Sequence, residues 1–159
     1  MTRASVHPAL AWGLVTAQFA LIIVLAVAPR GELWERSPLI VGVALGLVAL
    51  GVALGVAAGI TLGRALTPSP IPREGSQLVT AGVYRVVRHP IYSGLLLLGA
   101  GLVMIGAAWW HLAVFIALIV LLAVKARLEE RMLAARFADY ADYASRVGRI
   151  VPGVGRLRS

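Results

Sequence analysis

Leu78-Val79-Thr80-Ala81-Gly82-Val83-Tyr84-Arg85-Val86-Val87-Arg88-His89-Pro90-Ile91-Tyr92-Ser93-Gly94 changes character at its proline. Before Pro90 the stretch is basic and aromatic. From Ile91 to Val124 there follow 34 residues in which His111 is the one group that titrates near neutral pH. Proline suits the first position of a helix and pushes the residue before it out of helical geometry, so the spacing predicts a helix that starts at Pro90. The amides of its first turn, from Ile91 onward, have no partner within the helix. Together with the helix dipole they make an anion-binding end. Tyr92 and Gly94 fall in that turn, where a ring can cover a flat ligand and a glycine lets a ligand approach the backbone. Tyrosine, arginine and histidine at such a boundary are equally at home as interfacial anchors.

A membrane span takes roughly 20 apolar residues. The run after Pro90 is too long for one span and slightly short for two ideal ones. A hairpin at Gly106-Ala107-Ala108-Trp109-Trp110 resolves this, with two tryptophans suited to an interface. Outward toward the N-terminus lie two more uncharged runs, Pro8 to Ala28 (21 residues) and Pro38 to Leu62 (25 residues). The first lacks the basic leader and small-residue cleavage site of a signal peptide and is read as a retained helix. The chain is 60% hydrophobic over 159 residues, which points to a membrane protein of one domain, residues 1–159. It contains no cysteine, which excludes disulfides, thiolate nucleophiles and cysteine-bound metal; no metal site is expected. The net charge of +8 sits in arginines that flank the apolar runs. Such residues act as topology signals and anionic-lipid contacts, not as a nucleic-acid surface.

Charge also sets the topology. Residues 29–37 carry Arg30, Glu32, Glu35 and Arg36 and sum to zero, whereas Arg64, Arg73, Arg85 and Arg88 face only Glu74 in the next polar segment. The tail from Lys125 carries eight basic residues against four acids. The expectation is an all-α polytopic membrane protein with four transmembrane helices, at about 8–28, 38–62, 91–106 and 109–125, plus a C-terminal amphipathic cytoplasmic helix. Both termini and the polar segments 63–90 and 125–152 then lie in the cytoplasm. Gly42, Gly46, Gly51, Gly55, Gly59 and Gly63 give the second span a small-residue face for close helix packing, within the bundle or in a homodimer. No acidic residue lies inside the runs, which argues against a cation transporter and moves the chemistry to the rim.

The second polar constellation is Lys125-Ala126-Arg127-Leu128-Glu129-Glu130. Leu128, Met132, Tyr140, Ala144 and Val147 recur at three- and four-residue steps, so the helix is expected to continue through them. Lys125 and Glu129 share a face. The adjacent glutamates point roughly 100° apart, so one of them is expected to face a buried site. Asp139 and Asp142 are expected to face solvent.

Leu78-Val79-Thr80-x-Gly82-x-Tyr84, Arg88-His89-Pro90-x-Tyr92-x-Gly94, Glu129-Glu130, Leu133, Phe137, Tyr140-x-x-Tyr143, Val147 and Pro152, in that order, resemble the isoprenylcysteine carboxyl methyltransferase family. These are integral membrane enzymes that use S-adenosylmethionine. The resemblance covers about residues 76–152. It implies that Ser76, Gln77, Leu78 and Val79, then Tyr84, His89, Pro90, Ile91 and Tyr92, and finally Glu129 bind the cofactor. Eukaryotic members carry a substrate-contacting arginine four residues before that glutamate, where this chain has Lys125. Lysine keeps the charge and loses the bidentate fork. The family's Phe-Gly-x-x-Tyr is shortened here to Phe137-Ala138-Asp139-Tyr140.

The function expected is methyl transfer from S-adenosylmethionine to a lipophilic small-molecule or prenylated acceptor that arrives from the bilayer, an isoprenylcysteine-like carboxylate being one candidate. A carboxylate acceptor needs no base and would be held by Lys125. An amine or thiol must lose a proton, for which His89 and Glu130 are the candidates. His111 falls at the far side of the hairpin as an interfacial histidine. Two alternatives stand beside this: a methyltransferase for phospholipids or small lipophiles, and a non-catalytic membrane scaffold.

Overall fold

The computed structural model describes residues 7–63 and 77–157. Among them the chain is helical, without strands: α1 (Pro8–Val27), α2 (Pro38–Leu62), α3 (Pro90–Gly106), α4 (Trp109–Arg136) and α5 (Tyr140–Arg146), with one 3-10 turn at Gly82–Arg85. The first three helices open on proline, whose missing N–H is no loss at that position. Ser37 Oγ accepts the Ile40 amide at 3.3 Å and caps α2. Helices α1, α2 and α4 are long and apolar enough to cross a membrane, and α3 is an apolar helix of 17 residues. Trp12, Phe19, Ile23, Leu39, Leu50, Ile60, Ile116 and Val120 project outward, as expected of surfaces that meet hydrocarbon.

The hairpin forms where the sequence placed it. Ala107 takes a left-handed conformation, φ 48°, and ends α3; α4 begins at Trp109. The α1–α2 connection is tied to this turn. Gly31 and Leu33 donate their amides to Gly106 O and Ala107 O at 2.8 Å, Trp34 Nε1 donates to Met104 O, and Trp110 Nε1 donates to Pro29 O. His111 sits beneath the same turn, and a Cβ on Gly106 would lie 2.3 Å from its ring. It is buried there, at the hairpin end of the bundle.

Part of the glycine face of α2 packs against α3. A Cβ on Gly51 would lie 2.5 Å from Gly94 O, and one on Gly94 would lie 2.6 Å from Gly51 O, so α2 and α3 touch backbone to backbone. Gly42 and Gly46 have open space beside them.

At the opposite end the structure departs from the sequence pattern. The amphipathic helix expected to run through Val147 breaks. Phe137 is extended, and α5 folds back so that Tyr140, Tyr143 and Ala144 pack with Leu78, Leu133, Phe137 and Val147. Three- and four-residue spacing persists across the break, which is why periodicity alone reads it as one helix. After α5, residues 148–157 form an arm that crosses the start of α3. Arg88 N–H donates to Gly148 O at 2.8 Å and His89 N–H to Arg149 O at 2.9 Å. Positive φ at Gly153 and Gly155 lets this arm turn back, and the Leu157 amide reaches Ala144 O.

Candidate active site

Two polar segments far apart in sequence meet at this end because α3 and α4 both run into it. His89, the residue forced extended ahead of Pro90, is buried, and its ring stacks parallel on Tyr92 at 5.3 Å between centroids. Both glutamates reach it. His89 Nδ1 lies 3.3 Å from Glu129 Oε2, and Nε2 lies 3.4 Å from Glu130 Oε1, a distance for ionic pairing but off the line of a hydrogen bond. The expectation that one glutamate alone would face the site therefore fails. The imidazole presents nitrogens in two directions and bridges side chains that diverge around the helix. Burial disfavours the charged imidazole, but the adjacent Glu129 and Glu130 carboxylates together outweigh it and raise the His89 pKa above the ordinary value.

The two carboxylates differ in surroundings. Glu130 is buried among arginines: Arg88 donates from Nε and Nη2 to Oε1 at 3.0 and 2.7 Å, and Arg149 Nη2 lies 2.7 Å from Oε2. Arg88 also donates from Nη1 to Ala144 O and Val147 O and from Nη2 to Gly155 O. Its guanidinium thus ties the end of α5 and the arm to α4. Glu130 is occupied by these cations and is poorly placed to take a proton from an acceptor. Glu129 is half-buried and accepts the Tyr92 hydroxyl proton on Oε1.

Lys125 lies one helical turn before Glu129, about 6 Å further along α4 toward the apolar bundle. No ion pair joins it to Glu129 among the described residues. Its ammonium instead donates to Gln18 Oε1 of α1 at 2.6 Å and sits 5.2 Å over the Tyr92 ring. Tyr84 is buried, and its carbonyl accepts the Tyr143 hydroxyl at 2.6 Å. Burial first, then the neighbouring Tyr143 and Glu129, push the Tyr84 phenol upward.

His89, Tyr92 and Glu129 thus touch one another and Lys125 lies over the Tyr92 ring, with Pro90 and Ile91 forming the helix start beside them. Leu78 packs in the α5 cluster, Val79 is half-buried and Gln77 is exposed. Ser76 lies outside the described residues. Asp142 faces solvent and pairs with Arg146, and Asp139 is exposed. Two participants escaped the sequence reading. Arg149 carried no signal beyond being one more basic residue. Gln18 did: it is a large polar side chain in the middle of an uncharged span.

Residues 39–140 match the family described as phospholipid methyltransferase. That range includes α2, α3, α4 and the His89, Tyr92, Lys125, Glu129 and Glu130 cluster, and leaves out α1 and the C-terminal arm. The cobalt-zinc-cadmium resistance protein CzcN of Cupriavidus metallidurans is 36% identical over 90 residues, 54% of this chain. The match spans 40% of the length of that relative. With this family match and its apolar helices, the chain is a multi-pass integral membrane protein.

Proposed function

Because the chain belongs to the phospholipid methyltransferase family, membrane methyltransferases of the isoprenylcysteine carboxyl methyltransferase type, we propose that it moves a methyl group from S-adenosylmethionine to a lipophilic acceptor with an anionic head. An isoprenylcysteine-like carboxylate is one such acceptor. The observation that carries this reading is the split between Glu129 and Lys125. One helical turn apart, they are held by different partners, Glu129 by Tyr92 and His89 and Lys125 by Gln18.

The residues present fit the cofactor. The parallel His89–Tyr92 pair offers a flat surface, and His89 Nε2 is buried without a hydrogen-bond partner among the described residues. The half-buried Glu129 carboxylate suits ribose hydroxyls or an ammonium group, and the first-turn amides of α3 suit a carboxylate. When bound, S-adenosylmethionine supplies a methyl group already activated on a sulfonium. The protein's own task is then to align the acceptor and exclude water. Lys125 would hold an anionic head at the bilayer side of Glu129. A carboxylate acceptor needs no base, which suits a site where Glu130 is occupied by arginines and the two carboxylates flank His89.

Four crossings, with both termini and the site in the cytoplasm, accompany this proposal: α3 crosses together with α4, and thirteen of the fifteen Lys and Arg residues then lie inside. The family description favours a second acceptor, a phospholipid amine. On that reading a proton must leave the acceptor, and the His89–Glu129 pair is the place for it.

Calorimetry with S-adenosylhomocysteine on detergent-solubilised protein tests the donor half. Binding by the wild type, weakened about tenfold or more in His89→Ala and Glu129→Ala, is expected. Wild-type protein that binds neither donor nor product at millimolar concentration overturns the enzymatic reading.

A further inference from the structure

We propose that Gln18 is a positioning residue for the acceptor, and that α1 thereby completes the methyl-acceptor end of the site by presenting Lys125 to an anionic head group. The inference deepens the methyltransferase reading and rests on it for the placement of the donor beside Glu129. It concerns a residue outside the family match, which begins at residue 39.

Lys125 is the one lysine in the 159 residues, and it is 2% exposed. An ammonium buried at the end of a span needs partners, and it carries three donors. A charge kept only for structure is normally neutralised by a carboxylate. Glu129 is within one turn, yet its oxygens are taken up by Tyr92 and His89. Lys125 is held instead by neutral groups: the Gln18 amide oxygen at 2.6 Å and the face of Tyr92. Neutral partners fix the position of a cation without cancelling its charge. Gln18 is itself buried, 8% exposed, and comes from a helix otherwise packed through apolar side chains. Its amide oxygen must face the ammonium, since the amide NH2 cannot accept a proton. The result is a net positive, partly coordinated group beside the aromatic ring that also touches Glu129. That arrangement recognises a carboxylate or phosphate on a hydrocarbon chain, and favours it over a neutral head.

The sole lysine makes the test direct. Full-length protein carrying lysine labelled with 13C at Cε alone, in phosphatidylcholine nanodiscs with S-adenosylhomocysteine, gives one labelled side-chain signal. Laurate and dodecyl phosphate are titrated as the two anionic probes, and methyl laurate as the neutral isostere. The expected result is a saturable shift of the lysine signal with at least one anion and none with the ester. The tighter anion identifies the head group as carboxylate or phosphate. In Gln18→Met the anion should bind roughly tenfold to a hundredfold more weakly, because the cation loses its holder. Gln18→Glu keeps a partner for Lys125 but cancels its charge, so it should leave the protein folded and abolish the anion-induced shift. S-adenosylhomocysteine affinity should stay within about twofold of wild type in both. Equal response to laurate and methyl laurate, wild-type anion affinity in Gln18→Met, or retained anion binding in Gln18→Glu each overturns the proposal. So does a loss of S-adenosylhomocysteine affinity equal to the loss of anion affinity, which would make Gln18 a packing residue. Wild-type protein that shows the anion response without binding S-adenosylhomocysteine overturns the methyltransferase reading instead and leaves the Gln18–Lys125 anion site standing.

Discussion

Replacing Glu130 with glutamine should release the C-terminal arm from the start of α3. The Arg88 side chain is 1% exposed and Glu130 7%, and Arg149 joins the same carboxylate from the arm. Removing one partner from a buried ion pair costs about 3–5 kcal/mol, because the remaining charge stays desolvated. Arg88 keeps its bonds to Ala144 O, Val147 O and Gly155 O, so the lower figure applies. About 3 kcal/mol of local stability corresponds to roughly a hundredfold faster opening, at 1.4 kcal/mol per factor of ten. Hydrogen exchange reads this at the two amides the arm covers, Arg88 and His89, bonded to Gly148 O and Arg149 O. The Leu33 amide, bonded to Ala107 O at the other end of the bundle, serves as the control for global loosening and should be unchanged. Exchange at Arg88 and His89 within about threefold of wild type, with Leu33 also unchanged, would show that the arm is held by its backbone bonds alone and refute the reasoning.

Three further outcomes are expected. Gly51→Ala should lower stability by about 1–3 kcal/mol in detergent unfolding, since its Cβ meets Gly94 O at 2.5 Å and Leu98 N at 2.7 Å, both backbone atoms, whereas Gly42→Ala, with open space beside it, should be neutral or slightly stabilising; equal effects would contradict the close α2–α3 contact. His89 has a raised folded-state pKa, so the stability its proton contributes is fully present below about pH 6.5 and is lost as pH rises through the higher folded value. The melting-temperature advantage of wild type over His89→Gln should therefore shrink from pH 6 to pH 9, and an advantage that grows with pH would reverse the assignment. Finally, Leu33→Cys and Val154→Cys, both exposed, should label from opposite sides of the membrane in this cysteine-free chain, Leu33 from outside; labelling of Val154 from outside would overturn the orientation.

Much of the fold was legible because two physical signals coincided. Uncharged runs set the first three helices to within a residue or so, and Pro8, Pro38 and Pro90 mark their starts. The hairpin followed from a run of the wrong length for one span and a small-residue turn at Gly106-Ala107-Ala108. His89, Tyr92 and Glu129 stand out in the sequence through the motifs that resemble the isoprenylcysteine carboxyl methyltransferase family, and the structure brings the three together. What stayed hidden depends on tertiary contact. The break at Phe137 keeps helical spacing on both sides, so only packing of Tyr140 and Tyr143 against Leu78 reveals it. Gln18 lies 107 residues from Lys125, and nothing local to either states that they meet. The division between Glu129 and Glu130 was invisible for the same reason, since Arg149 comes from beyond α5.

That division is what connects the arm to the chemistry. Glu130 is tied to Arg88 and Arg149, and through them to α5 and the arm, while Glu129 touches Tyr92 and is the one proposed to meet ligand. His89 lies between them with a nitrogen toward each. A histidine flanked by two carboxylates has its ring orientation set by both, so displacing Glu130 also lets the imidazole turn relative to Glu129 and Tyr92. The stacked His89–Tyr92 surface therefore depends on a clasp that never needs to touch the ligand. Loss of Glu129 should weaken donor binding with the arm still protected from exchange, whereas loss of Glu130 should weaken donor binding only along with release of the arm. Two neighbouring carboxylates of identical chemistry are thus separable by experiment, because one answers to the ligand and the other to the end of the chain.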